Sequence, residues 1–123
     1  MEVLLDTNFI ISCIIKKIDF LGQLREKGFK SVIPKEVVDE LKDLRIDNKI
    51  SHEERVAINV ALDLFNSKEI KKISLGTGKV DDLLVRKGKE GVYIATLDNG
   101  IKKQVPNKIV ISSSKKEVEA ERD

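Results

Sequence analysis

Short, wholly apolar runs alternate along this chain with longer segments that carry a helical spacing. Val3-Leu4-Leu5 has the character of a strand buried on both faces. Phe9 to Ile15 is strongly apolar and too long to continue that strand, so it predicts a buried helix. Phe20 to Lys27 predicts a second helical segment, closed by Gly28. Ser31-Val32-Ile33 predicts the next strand, and Pro34 suits the first position of a helix reaching about Leu44. Ser51-His52-Glu53-Glu54 is a capping box that opens a helix running to about Phe65.

Ile70 to Leu75 returns to strand, Gly76-Thr77-Gly78 turns, and a helix covers about Lys79 to Lys87. Val92 to Thr96 predicts a strand, Asn99 to Val105 a short helix stopped by Pro106, and Lys108 to Ser112 a last strand. From Ser113 the chain reads as a frayed tail or a solvated helix. The expected organisation is thus one α/β domain over residues 1–112 and a charged tail over 113–123. Strands separated by helices point to a parallel sheet with helices on both faces. In such sheets ligands bind beyond the carboxyl ends of the strands, where strand order reverses.

Composition narrows the class. At 123 residues the chain suffices for one core but not two. With 41% apolar and 36% charged residues it is globular with a densely charged surface, rather than disordered. No apolar run approaches the roughly 20 residues of a membrane helix. Met1-Glu2-Val3-Leu4-Leu5 lacks the basic flank of a secretory leader, so none is expected. A single Cys13, amid Ile11, Ile14 and Ile15, reads as core packing and fits a reducing cytosol. Charge is uneven: Asn66 to Ile111 holds ten Lys/Arg against five Asp/Glu, and the remainder thirteen against sixteen. The basic half suits a polyanion, although a solvated lysine-rich surface gives the same bias.

The acids carry more information. Asp6 follows the first strand directly, and Asp98 follows the Val92–Thr96 strand after Leu97. Either alone is as readily a helix N-cap. Helix geometry, at about 100° per residue, selects two more. Glu40 falls on the shoulder of the Val37/Leu41/Leu44 stripe, while Asp39 and Asp43 point outward. Asp81 falls between Leu84 and Val85 inside the apolar arc of its helix, and Asp82 points away. An inward carboxylate needs a cation. Asp81 and Asp82 also lie in the first turn of their helix, where the helix dipole favours them.

Four acids brought together would repel unless a cation neutralised them. All-oxygen ligation suits Mg²⁺ or Mn²⁺, and the chain lacks the Cys/His set zinc would want. His52 lies in a helix's first turn and is expected to face solvent. Gly76-Thr77-Gly78-Lys79 is too short for a phosphate-binding loop.

These residues resemble the PIN-domain nucleases. Val3-Leu4-Leu5-Asp6-Thr7-Asn8 is similar to the family's first motif, and Pro34-Lys35-Glu36-Val37-Val38-Asp39-Glu40-Leu41 to its second. Val80-Asp81-Asp82-Leu83-Leu84-Val85 resembles the third. Ile94-Ala95-Thr96-Leu97-Asp98, with Ile101-Lys102-Lys103 downstream, resembles the fourth. Order and spacing agree over roughly residues 2 to 111. The resemblance implies a three-layer α/β/α domain with a five-stranded parallel sheet and a metal-dependent endoribonuclease using Mg²⁺ or Mn²⁺. It implies that Asp6, Glu40, Asp81 and Asp98 are catalytic and metal-binding, with Asn8, Thr96 and Asp82 in support. Lys79, Arg86, Lys102 and Lys103 are the candidates for RNA contact, with Lys87 and Lys89 nearby. The pattern is closer to archaeal and ribosomal-RNA-processing members than to VapC-type toxins. It implies RNA processing, RNA decay or toxin action in the cytoplasm, and a homodimer as the expected assembly; an antitoxin or ribosome-assembly partner is not legible in one chain.

Two other classes share parts of this layout. A non-catalytic RNA- or protein-binding module would keep the fold without needing all four acids. Aspartyl-phosphate phosphatases and receiver domains also place an Asp after strand one. The phosphatases usually add a second Asp two residues on, where this chain has Asn8, and receivers cluster their acids there.

Overall fold

The computed structural model describes residues 1–67 and 70–123. The first apolar run becomes β1 (Glu2–Leu5), with Val3, Leu4 and Leu5 all buried. Side chains alternate across a strand. Val3 and Leu5 accordingly enter one apolar cluster with Phe9, Ile33, Val37 and Leu41, while Leu4 enters another with Val32, Leu83, Leu84 and Ile94. The first cluster is roofed by α1 (Thr7–Ile15), α2 (Phe20–Glu26), α3 (Lys35–Arg45) and α4 (His52–Ser67). The second is covered by α5 (Val80–Lys89) and α6 (Asn99–Lys102). Helices on both faces of one sheet give the expected three-layer α/β/α arrangement.

The remaining strands are β2 (Lys30–Pro34), β3 (Lys71–Ile73), β4 (Tyr93–Ala95), β5 (Asn107–Ser112) and β6 (Glu117–Arg122), in the order β3-β2-β1-β4-β5-β6. The first five strands pair in parallel; Leu4 lies opposite Val32 on one side and Ile94 on the other. Strand order reverses at β1, so the crevice for a ligand falls at the carboxyl ends of β1 and its neighbours.

The five-stranded parallel sheet is corrected to six strands. β6 runs antiparallel to β5 from Asn107↔Arg122 to Ser112↔Glu117, where a frayed tail or solvated helix was expected. Its apolar residues, Val118 and Ala120, alternate with Glu117, Glu119 and Glu121, a period of two that the high charge obscures. Val118 is fully buried. The Gln23 amide fixes the strand's start: its oxygen accepts from the Val118 N–H at 2.8 Å and its nitrogen donates to the Lys116 carbonyl at 3.2 Å. Several elements are also shorter than predicted, β4 (Tyr93–Ala95) and α2 (Phe20–Glu26) by a residue or two. β3 keeps only Lys71–Ile73, and α6 ends at Lys102, although Val105 beyond it remains buried. The capping box forms as read, with Glu54 N–H donating to Ser51 Oγ (3.1 Å) and Ser51 N–H to Glu54 Oε1 (3.2 Å).

Gly88 is where α5 meets the sheet layer. A Cβ there would collide with the Val105 side chain and stand 3.1 Å from Ile94 Cγ1, both buried. Gly88→Ala should destabilise the fold by about 1–3 kcal/mol through overpacking, despite alanine's better helix propensity. Chemical denaturation checks this; unchanged stability would show that α5 shifts freely against the sheet.

Candidate active site

Asp6 occupies the carboxyl end of β1, continuing the ladder through its backbone N–H to the Ala95 carbonyl at 2.9 Å. It is buried, and both carboxylate oxygens are engaged. Oδ1 accepts from the Thr7 backbone N–H at 2.8 Å, which caps α1; Oδ2 accepts from Thr96 Oγ1 at 2.7 Å. Capping accounts for one oxygen but not for what surrounds this carboxylate. Thr7, also buried, donates from Oγ1 to Glu40 Oε1 at 2.6 Å, so one residue binds both acids. Burial pushes the Asp6 carboxyl above its ordinary value. Thr96 and Thr7 pull it back through their hydrogen bonds, and the charges of Glu40 and Asp81 raise it further.

Thr7 thus joins Asp6 to Glu40 directly, and Asp81, on a third element, lies within electrostatic reach of Asp6. Glu40 is exposed, on the shoulder expected for it. Asp81 requires a correction. It is exposed rather than inside the apolar arc, because Val85 is only half-buried and the arc centres on Leu83, Leu84 and Gly88. Asp81 therefore needs no cation to justify its burial; it stands on the rim within electrostatic reach of Asp6. Asp82 is exposed in the same turn.

Asp98 is set differently. Its Oδ1 accepts from Ile101 N–H at 3.0 Å and caps α6, while its own N–H donates to Thr96 Oγ1 at 3.1 Å. Thr96, fully buried, therefore ties Asp98's backbone to Asp6's carboxylate. Asp98 also borders a cleft of about 380 Å³ with Asn8, Ser12, Leu97 and Glu54. Asn8 is exposed on that wall, and no bond joins it to the acids among the described residues. Two larger depressions, of about 580 and 610 Å³, open around Lys30 and Lys71 and around Met1 and Tyr93, at the amino edge of the sheet. Neither contains any of the four acids.

Among the described residues, no three His, Cys, Asp or Glu side chains are grouped so as to hold a metal ion. The donor set nevertheless fits a hard divalent cation in kind: carboxylate oxygens only, one of them buried beside two further negative charges. The residues that could hold such an ion are Asp6, Glu40 and Asp81, with Asp98 bordering the cleft. His52 is exposed at the start of α4, and Cys13 is a fully buried core residue whose thiol burial pushes up to about 12. Lys79, Arg86 and Lys103 are exposed and Lys102 half-buried. Arg86 lies in the last turn of α5, where the helix dipole accounts for it.

Two polar residues of this edge were not singled out from the sequence. Thr7 was visible only as the middle of a motif. Glu36, in the first turn of α3, accepts from the Leu75 N–H at 3.0 Å and from Ser74 Oγ at 3.0 Å. Partial burial raises its carboxyl, but those bonds and another from the Gly76 N–H outweigh it and hold the group below its ordinary value. Nothing in the chain's periodicity links position 36 to position 75.

The raised Asp6 value has a testable sign. The unfolded chain's Asp6 ionises near its ordinary 3.8 and the folded chain's higher. Its contribution to stability is therefore fully present below that ordinary value and is lost as pH rises through the raised one. Asp6→Asn, which cannot ionise, should gain in melting temperature relative to wild type as pH rises across this window. A difference that stays constant with pH would contradict the shift.

The sequence profile of a family described as a PIN-like domain matches residues 3–113. The structure superposes on the PIN domain endonuclease Utp24 with a TM-score of 0.77 and 22% identity, covering 99% of this chain and 92% of that one. A domain of a functionally unknown protein from Methanocaldococcus jannaschii DSM 2661 gives a TM-score of 0.49 at 22% identity, covering 84% and 85%. No curated protein matches the chain.

Proposed function

This chain belongs to the PIN-like domain family, and from that premise we propose that its acidic edge hydrolyses RNA phosphodiester bonds as a metal-dependent endonuclease. The observation that carries the reading is the buried Asp6 carboxylate, held between Thr7 and Thr96 with Glu40 and Asp81 within electrostatic reach. A fold that needed only a helix cap at this position would not place two further acids around it.

Asp6, Glu40 and Asp81 would hold Mg²⁺ or Mn²⁺. A bound ion of this kind supplies neutralisation of the phosphate and an activated water. Thr96 and Thr7 fix the Asp6 carboxylate so that both oxygens keep one orientation. The Thr7 hydroxyl orients Glu40 toward the same point. Asp98 and Asn8 line the adjoining cleft, and an extended strand would pass along it. Lys79, two residues before Asp81, and Lys102 and Lys103, shortly after Asp98, are the cations that would meet its phosphates, with Arg86 as a further candidate. RNA processing, in preference to toxin action, is the role that the four-motif pattern favours.

A second reading has one observation behind it. Because no three acids are grouped for an ion among the described residues, a PIN-fold module that binds RNA without cutting it also accommodates the geometry. Incubating wild type with a panel of single-stranded and hairpin RNAs in Mn²⁺, Mg²⁺ or EDTA separates the two. Cleavage that requires the ion is the expected result. Binding that survives EDTA, with no cleavage in either metal, would replace the nuclease by the binding module.

A further inference from the structure

The two acids around Asp6 come from different layers. Glu40 rides on α3, in the layer that covers Val3 and Leu5; Asp81 rides on α5, in the layer that covers Leu4. Thr7 connects Asp6 and Glu40 directly. Asp81 has no such bond among the described residues. Its place depends on where α5 begins, and so on residues 74–79, which lead from β3 to Val80 across the carboxyl edge of the sheet.

That segment has little to hold it. Residues 76–79 are exposed, and Gly76 and Gly78 adopt φ of +108° and +132°, conformations that L side chains rarely adopt. Leu75 anchors it from below, as a buried member of the α5 layer. Glu36 anchors it from the other side. Each of its carboxylate oxygens lies 3.0 Å from the Leu75 N–H, and Oε2 also takes the Ser74 hydroxyl at 3.0 Å. Glu36 belongs to α3, one turn before Glu40 on the same helix. A single carboxylate thus fastens the origin of α5 to the helix that carries Glu40.

We propose that Glu36 is a positioning residue that sets Asp81 relative to Glu40 and Asp6 by clamping Ser74 and Leu75 to α3. The proposal rests on the metal-site reading above and adds to it a fixed distance between two helices. Glu36 acts through Asp81, and has no contact with ion or substrate. Its removal should therefore matter only while the Asp81 carboxylate is present.

The test compares wild type, Glu36→Ala, Asp81→Asn and the double variant, with Asp39→Asn as an exposed control on the same helix. Two readouts apply: Mn²⁺ affinity by calorimetry, and amide hydrogen exchange at Leu75 and Gly76 in metal-free protein. Glu36→Ala should speed exchange at both amides and weaken Mn²⁺ binding by about 10- to 100-fold, the usual cost of losing a group that orients a ligand. Glu36→Gln, which keeps an acceptor oxygen, should fall between Ala and wild type. In the Asp81→Asn background Glu36→Ala should weaken binding no further, and Asp39→Asn should match wild type. Unchanged exchange at Leu75 in Glu36→Ala would show there is no clamp. Losses that multiply in the double variant would show that Glu36 serves the fold in general, and either result overturns the proposal. Should the affinities follow the expected pattern while wild type cuts no RNA, the nuclease reading falls and the positioning of Asp81 stands.

Discussion

Asp6→Asn should lower RNA cleavage by more than about 100-fold, exceeding the loss typical of residues that merely orient a metal ligand, while the domain stays folded. The structure separates the two effects. Asparagine preserves the shape of the side chain and one carbonyl oxygen, which can still accept the Thr7 N–H and cap α1. Thr96 loses a carboxylate acceptor, at a cost on the order of 1–3 kcal/mol for a buried hydroxyl left without one. Against that, removal of a negative charge relieves repulsion with Glu40 and Asp81. The two terms oppose, so melting near neutral pH should move only a few degrees. Circular dichroism melts beside the cleavage assay check both halves. Full activity in the variant would remove Asp6 from the chemistry, and a collapse of the fold would make it a structural cap.

Val118→Asp should have the largest effect on stability. Val118 is fully buried between the sheet and α2, and its backbone N–H is bound by Gln23. A carboxylate there would be buried within an apolar cluster, and an uncompensated charge in a protein interior costs roughly 3–5 kcal/mol. For a domain of this size that corresponds to a melting temperature lower by more than about 10 °C. Glu117→Gln, at the exposed start of the same strand, should change little. A small shift for Val118→Asp would mean that β6 frays without consequence, which is the behaviour its composition first suggested.

The difference between those two sites shows what the sequence could reveal. Elements buried on one or both faces announce themselves: Val3-Leu4-Leu5, the Val37/Leu41 stripe and the Ser51–Glu54 box all form where the pattern placed them. β6 did not, because a strand at a sheet edge exposes most of its length and tolerates the charges that also mark a tail. Asp6 and Asp98 were legible as strand ends, and Glu40 as a boundary residue. The inward angle that the helical spacing gives Asp81 is not its place in the structure, where the side chain is exposed. Val85, which bounds the apolar arc, is only half-buried, so the buried arc does not reach Asp81. Thr7 and Glu36 act through contacts 33 and 39 residues away along the chain, which no local periodicity records.

Metal-assisted hydrolysis of RNA at this edge would be written in the ends of the products. Water attacking phosphorus leaves a plain phosphate monoester on one side and a hydroxyl on the other, whereas attack by the neighbouring 2′-hydroxyl leaves a 2′,3′-cyclic phosphate. Cleavage of a labelled single-stranded RNA in Mn²⁺ by wild type and Asp6→Asn, with end-group analysis of the fragments, decides between them. Hydrolytic ends that appear only with wild type are the expected result. Cyclic phosphate ends, or the same fragments from Asp6→Asn, would contradict it.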